Sequence, residues 1–364
     1  MDSFVVVFPS TFARNMVGLL VSNIKKILDI KKLPYDKIWR DGQIIVIDAR
    51  DPVFASSAIG LLYGIERIAI ARRVGSGFEE VVKEMAKVCS SLILRGDRFF
   101  IKVGGTPYGT TAGDLELAAT STVIKTASAS GALPGTIGDH SRFLYTHLTK
   151  NNAYVCIFLD NGLGGLPQGV HKGQVLCCIY DELSAIACLE TFKHGFDTKI
   201  IVCHKGGANL RKLVKMLDRI LSRVVSSECI LEFYRLKNVT LSEMPYVSLT
   251  VARAVAKKSH TARICIPSSP VVYPARQMDI WIQDAVKDGL VPYTPLGGLE
   301  KELYVNAKEA GLGEFSPPLL RQKMHSNEKA ITRKAKDALA KSEKIVLKIG
   351  VNCMHEMLDS LECK

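Results

Sequence analysis

The sequence predicts an α/β fold whose second half is a doubly wound parallel sheet. Three observations carry that expectation. The chain has 364 residues, more than one ordinary core organises, so two or three domains are expected. Short apolar runs alternate with helix-periodic segments along nearly all of it. Two of those runs, Val175 to Tyr180 (VLCCIY) and Lys199 to Cys203 (KIIVC), are continuously apolar, the pattern of strands buried on both faces.

Composition narrows the function classes. A hydrophobic share of 47% beside 23% charged residues is that of a globular protein. Lys plus Arg outnumber Asp plus Glu by 48 to 36, and the resulting +12 favours a polyanionic partner such as RNA, or an anionic surface. A solvated surface rich in lysine accounts for the same number. No signal peptide and no run of 18 apolar residues is read, so no membrane partner and a cytoplasmic location are expected. Most of the ten cysteines, including Cys156, Cys177, Cys178, Cys188, Cys203 and Cys265, fall in apolar segments, as reduced buried thiols do. No CxxC pair or Cys/His spacing suggests a zinc site, and no other metal site is expected.

Taken in order, Ser3 to Phe8 reads as a strand and Ala13 to Leu28 as a helix. Gln43 to Asp48 is a strand, and Asp51-Pro52 opens a helix with a capping carboxylate and a proline in the first turn, running to Leu62. Ile65 to Arg72 is the next strand. Gly77 to Leu94 is a helix with acids in its first turn, as the helix dipole favours. Arg98 to Val103 is a strand, Gly113 to Thr126 a helix, and a Gly/Ser/Pro-rich loop leads to the strand Ala153 to Leu159.

After Val175 to Tyr180 comes the polar turn Asp181-Glu182. A helix with Leu183, Ile186, Ala187 and Leu189 at helical spacing then ends at His194-Gly195. Gly206 to Val225 is a basic amphipathic helix, Cys229 to Tyr234 a strand, Pro245 to Lys257 a helix and Arg263 to Pro267 a strand. Arg321 to Lys344 carries eight Lys or Arg against three acids, a solvated face or a contact to RNA phosphate. Ile345 to Ile349 is a strand and Cys353 to Leu361 a terminal helix.

Three stretches carry a family resemblance: Tyr63-Gly64-Ile65, the junction Gly164-Gly165-Leu166-Pro167 with Gly169 and Gly173, and Val291 to Leu312 (VPYTPLGGLEKELYVNAKEAGL). With them the chain resembles the tRNA 4-thiouridine synthetase (ThiI) family. The resemblance implies an α/β architecture of ferredoxin-like and THUMP α+β modules followed by a doubly wound PP-loop-like domain. It implies boundaries at 1–75 (ferredoxin-like), 76–167 (THUMP, RNA-binding), 168–318 (PP-loop) and 319–364 (basic extension).

The resemblance also implies ATP and Mg²⁺ as cofactors, the acceptor end of tRNA as partner, and a homodimer or a sulfur-carrier protein as further partners. The family places Ser-Gly-Gly-x-Asp-Ser after the first strand of its ATP domain, where bare amides cradle phosphate. Here Tyr180 and Asp181 stand for the two glycines and Leu183 for the aspartate, while Ser184 keeps the last serine. Bulk and negative charge at such a turn oppose phosphate. Tyr180, Asp181, Glu182 and Ser184 therefore form a degenerate nucleotide site.

Two readings follow. One is a THUMP-containing, non-catalytic tRNA-binding protein acting in tRNA modification, in which Ser184 caps the helix. The other is an active ATP-dependent thiolation enzyme whose remodelled site uses Asp181 and Glu182 for Mg²⁺. No catalytic residue is assigned. The helix Pro245 to Lys257 lacks the family's cysteine, and Cys265 is either a relocated thiol or a buried strand residue. Arg72, Arg73, Arg95, Arg98 and Lys102 are the candidate RNA-phosphate contacts, with Lys25, Lys26 and Arg40 behind them.

Overall fold

The computed structural model describes residues 3–106, 109, 111–126, 131–297, 305, 307–308, 311, 328–349 and 353–362. The chain forms two compact units, Met1–Gly164 and Gly165–Lys364.

In the first unit, β1 (Ser3–Pro9) is followed by a short 3-10 turn, α1 (Val17–Ile30), β2 (Tyr35–Asp41), β3 (Ile44–Ala49), α2 (Pro52–Ile59) and β4 (Ile65–Gly75). Asp51 caps α2 as its sequence suggests, accepting from the amides of Val53 and Phe54. Next come α3 (Phe78–Leu92), β5 (Arg98–Gly105), α4 (Ala112–Thr126), β6 (Leu133–Pro134), β7 (Arg142–Leu148) and β8 (Asn152–Gly164). All eight strands join one sheet in the order β2-β3-β1-β4-β8-β7-β5-β6. β4 pairs with β1 on one side and with β8 from Ile65 through Gly75 on the other, so the sheet is continuous across residue 75.

The two faces of this sheet are packed differently. Val81, Met85 and Cys89 of α3 and Leu115 and Val123 of α4 cover Phe99, Ile101, Val103, Leu144 and Val155. On the opposite face, Phe4, Val6, Ile44, Val46, Ala69, Ala71, Tyr154 and Cys156 form a cluster with no helix in it, bordered by Phe8, Trp39 and Tyr145. Strands β2 and β7 were not expected from sequence. Both lack an apolar run: YDKIWRD is polar and edge-lying, and RFLYTHL follows a loop-rich stretch.

The second unit contains β9 (Gln174–Ile179), α5 (Glu182–Lys193), β10 (Asp197–His204), α6 (Gly207–Leu221), β11 (Glu228–Arg235), α7 (Met244–Lys258), β12 (Arg263–Cys265), α8 (Ala275–Lys287) and β13 (Val291–Tyr293). After them come α9 (Glu328–Leu339), β14 (Ser342–Lys348) and α10 (Cys353–Glu362). The sheet order is β13-β12-β9-β10-β11-β14, parallel except for β14, which runs antiparallel to β11 over Glu228 to Tyr234. The expected doubly wound sheet is present, and the basic C-terminal stretch supplies one of its edges. Most of the Val291 to Leu312 segment beyond Gly297 lies outside the described residues.

From β9 the chain lays β10 and β11 on one side, then β12 and β13 on the other. The order therefore reverses beside the carboxyl end of β9, where open α/β sheets place their ligands.

Candidate functional site

The turn from β9 into α5 sits at that reversal. Asp181 is the N-cap of α5 and Ser184 its third residue, and together they close a capping box. Ser184 Oγ accepts from the amides of Tyr180 and Asp181, both at 2.9 Å. Asp181 Oδ1 accepts from the Ser184 amide at 2.8 Å and from the Ser184 hydroxyl at 2.7 Å. Glu182 is engaged by Lys212 of α6.

The surroundings are closed as well. Tyr180 is buried, and burial, with Tyr273 and Asp181 beside it, pushes its phenol well above the usual range. Burial raises the Asp181 carboxyl to about 6 against the opposing pull of its bonds from Ser184. Ser268 and Ser269, in the loop after β12, are fully buried, as is most of Tyr273. Leu183, in the place of the family's aspartate, is packed in the core. The four residues expected at the degenerate nucleotide site thus fall in one turn, and three of them bond to one another.

The glycine junction has a steric reason. Gly165 has φ of +72°, and a Cβ there would lie 2.3 Å from the Lys193 carbonyl, which accepts from the Leu166 amide. Cys265 is buried against Cys177 and Thr191, and its thiol is raised well above the ordinary range, first by its bond with Cys177 and then by burial. Such surroundings disfavour the thiolate. Among the described residues, no three or more His, Cys, Asp or Glu side chains are grouped to hold a metal ion. Among them too, no helix is long and apolar enough to cross a membrane.

The expected phosphate contacts do not share one surface. Arg98 and Lys102 project from one face of β5, each half exposed, paired with Asp139 at 3.1 Å and Glu116 at 3.0 Å. Arg72 points to the helix-covered face and bonds buried Glu84 at 3.0 Å. Arg73 lies over the rings of Phe4 and Trp39 at 5.1 and 5.6 Å. Arg95 is exposed in the turn before β5, Lys25 and Lys26 are exposed on α1, and Arg40 donates to the Gly42 carbonyl. Sequence reasoning missed Phe100, Phe143 and Tyr145, the aromatic neighbours of Arg98 and Lys102. The spacing Arg98-Phe100-Lys102 along one strand was the available signal.

Fold and turn define an α/β protein with a helix-backed sheet ahead of a doubly wound parallel sheet whose switch-point turn is capped from within. No family model matches the chain. It is 24% identical over 188 residues to a probable tRNA sulfurtransferase of Methanosarcina mazei, covering 51% of this chain and 46% of that protein. A probable tRNA sulfurtransferase of Methanosarcina acetivorans is 24% identical over 200 residues, covering 54% and 48%. The chain therefore spans about half the length of the curated relatives it matches. A crystal structure of a 4-thiouridine synthetase in complex with RNA and bound ATP superposes with a TM-score of 0.65 at 14% identity, covering 95% of this chain and all of that one. PH1313 from Pyrococcus horikoshii does so with a TM-score of 0.64 at 18% identity, covering 85% and 99%. The chain is thus similar, over about half its length, to proteins named as probable tRNA sulfurtransferases, and it shares the fold of a 4-thiouridine synthetase.

Proposed function

We propose that the chain binds tRNA and acts in tRNA modification, and that its β9–α5 turn is not the phosphate cradle of an ATP-dependent enzyme. The RNA half of the reading is supported by the kinship, by the net charge of +12 and by the exposed Arg98 and Lys102. The second half rests on one observation. The amides of Tyr180, Asp181 and Ser184, which a phosphate would require, already donate to Ser184 Oγ and Asp181 Oδ1.

Nucleotide phosphate at this turn would have to displace those bonds while facing a carboxylate and a buried tyrosine. The residues present do not fit ATP there, and no chemical step is assigned to it. An Mg²⁺-dependent route through Asp181 and Glu182 would likewise have to break the capping box and the Glu182–Lys212 pair.

The experiment is thermal unfolding of the full chain with millimolar ATP and Mg²⁺, and separately with tRNA. A ligand at a hundred times its Kd stabilises the folded state by about 2.7 kcal/mol, enough to move the melting temperature by several degrees. The expected result is a shift with tRNA and none with ATP. An ATP-dependent shift would overturn the cradle argument, and indifference to tRNA would overturn the RNA reading.

A further inference from the structure

One face of the first sheet, on which no helix packs among the described residues of this unit, carries a strip of aromatic rings set among cations. In the sheet order β1 and β7 are separated by β4 and β8, roughly 14 Å on a flat sheet at standard strand spacing. Yet the Phe8 ring centroid lies 5.9 Å from that of Tyr145 and 5.1 Å from that of His147. The sheet therefore curls, with the small residues Ala69 and Ala71 at the bottom of the hollow.

Along one rim the rings continue outward. Tyr145 and Phe143 have centroids 6.4 Å apart and planes 24° from parallel, and Phe143 and Phe100 have centroids 6.0 Å apart and planes 25° from parallel. Phe143 is 43% exposed, so its ring is accessible from solvent.

The strip is fixed in place. A Cβ on Gly104 would come within 2.3 Å of the Tyr145 hydroxyl, so the tyrosine lies where only glycine leaves room. Its charges are arranged around the rings. Arg98 and Lys102 flank Phe100 on the same strand face, and the Arg67 guanidinium sits 5.9 Å over the Tyr145 ring. The nearby acids are Asp139, in an exposed pair with Arg98; Glu116, partly buried and held by Lys102 and also by the Val103 amide; and Glu66 beside Tyr145. An exposed pair such as Arg98–Asp139 exchanges readily for another anion.

An apolar protein partner would have to desolvate these cations at the centre of its interface, where charge is depleted. Unpaired RNA uses both elements, its bases on the rings and its phosphates on the cations. Resting on the RNA reading above, we propose that Phe100, Phe143 and Tyr145 form a stacking platform for about two or three unpaired nucleotides, with Arg98 and Lys102 on the phosphates between them. The platform takes single-stranded RNA; a continuous duplex keeps its bases inside and gains nothing from it.

The test is fluorescence anisotropy of the full chain with three labelled RNAs: tRNA, an unstructured eight-nucleotide RNA and a blunt duplex. Phe143→Ala is expected to weaken binding of the unstructured RNA about tenfold, within the range for removal of one base–aromatic stack. The slope of log affinity against log salt should not change, because every phosphate-binding cation is still present. Phe143→Tyr, which keeps a π face, should retain affinity, and Phe143→Leu, which keeps only apolar bulk, should not. Phe100→Ala repeats the measurement at the neighbouring ring should Phe143→Ala fail to fold.

The platform is overturned if wild-type protein binds tRNA while the alanine variants hold the unstructured RNA as tightly as wild type. Full retention by Phe143→Leu overturns it too, since the contact would then be apolar and not stacked. Wild-type protein that binds no tRNA sinks the RNA reading itself, a separate outcome.

Discussion

Ser184 holds two backbone donors with one oxygen, and its own amide is held by Asp181. Ser184→Ala leaves the amides of Tyr180 and Asp181 without that acceptor, in a place where Tyr180 is buried. Removing an acceptor of this kind costs about 1–3 kcal/mol, read as a lower urea midpoint for the second unit with an unchanged m-value. Asp181 titrates in the same turn. Its carboxyl is raised to about 6, so between that value and the ordinary carboxylate range the folded state binds the proton more tightly than the unfolded chain. Stability from this group is present at low pH and is lost as pH rises through 6. His204 in the same unit works in the opposite direction. Burial depresses it to about 4, so its stability is present above about 6.5 and is lost as pH falls towards 4. Asp181→Asn keeps a capping oxygen and removes the slope that favours the folded state at low pH. The variant should lose stability more steeply than wild type between pH 6 and 4, measured as urea midpoints at several pH values. An unchanged profile would mean that the Asp181 carboxyl is solvated.

At the scale of the elements, one carboxylate draws distant strands of the curled sheet together. Asp41 ends β2, an edge strand, yet its Oδ2 accepts from Tyr154 at 2.7 Å, Asn152 at 2.8 Å and Thr149 at 3.0 Å, all at the β7–β8 hairpin. Asp41→Ala removes three bonds to a charged acceptor and strands the buried Tyr154 hydroxyl. The first unit should lose about 3 kcal/mol, since bonds to charged groups contribute about 1.5–3 each and do not add fully. Denaturation followed by the fluorescence of Trp39, on the same strand, is the measurement; a loss below about 1 kcal/mol would show that the hairpin holds without the clamp. Nothing in the sequence announced this contact. The buried strands β9 and β10 were legible because both faces are apolar and the run is unbroken. β2 and β7 were not, because β2 has no fully buried residue and β7 buries only alternate ones, Leu144 and Leu148 against the cluster that includes α3 and α4, a non-local property that local pattern does not carry. The same cause hid the aromatic strip, whose rings stand on β5 and β7 and meet only through a parallel pairing of those strands. The Asp181–Ser184 turn was legible for the opposite reason: its partners are three residues apart.

For the whole molecule, an excess of twelve positive charges says that a polyanion is favoured and nothing about where it sits. The structure separates the arginines and lysines into those already engaged and those able to exchange. Arg72 answers the buried Glu84, so Arg72→Gln leaves an uncompensated carboxylate and should cost the first unit roughly 3 kcal/mol. It should barely alter the salt dependence of RNA binding. Arg98 and Lys102 are half exposed, and their partners stand at the surface or close to it. Arg98→Glu with Lys102→Glu should leave folding near wild type, lower tRNA affinity, and reduce the slope of log affinity against log salt by about one for each phosphate no longer neutralised. Anisotropy titrations between about 50 and 200 mM salt resolve a change of that size. The two experiments separate a structural charge from a binding charge because they move different quantities. Arg72→Gln shifts the unfolding midpoint and spares the slope, whereas the β5 double variant shifts the slope and spares the midpoint. A slope unchanged in the double variant would place the phosphate path elsewhere on this basic chain, and would leave Phe100 with no phosphate-binding cation beside it.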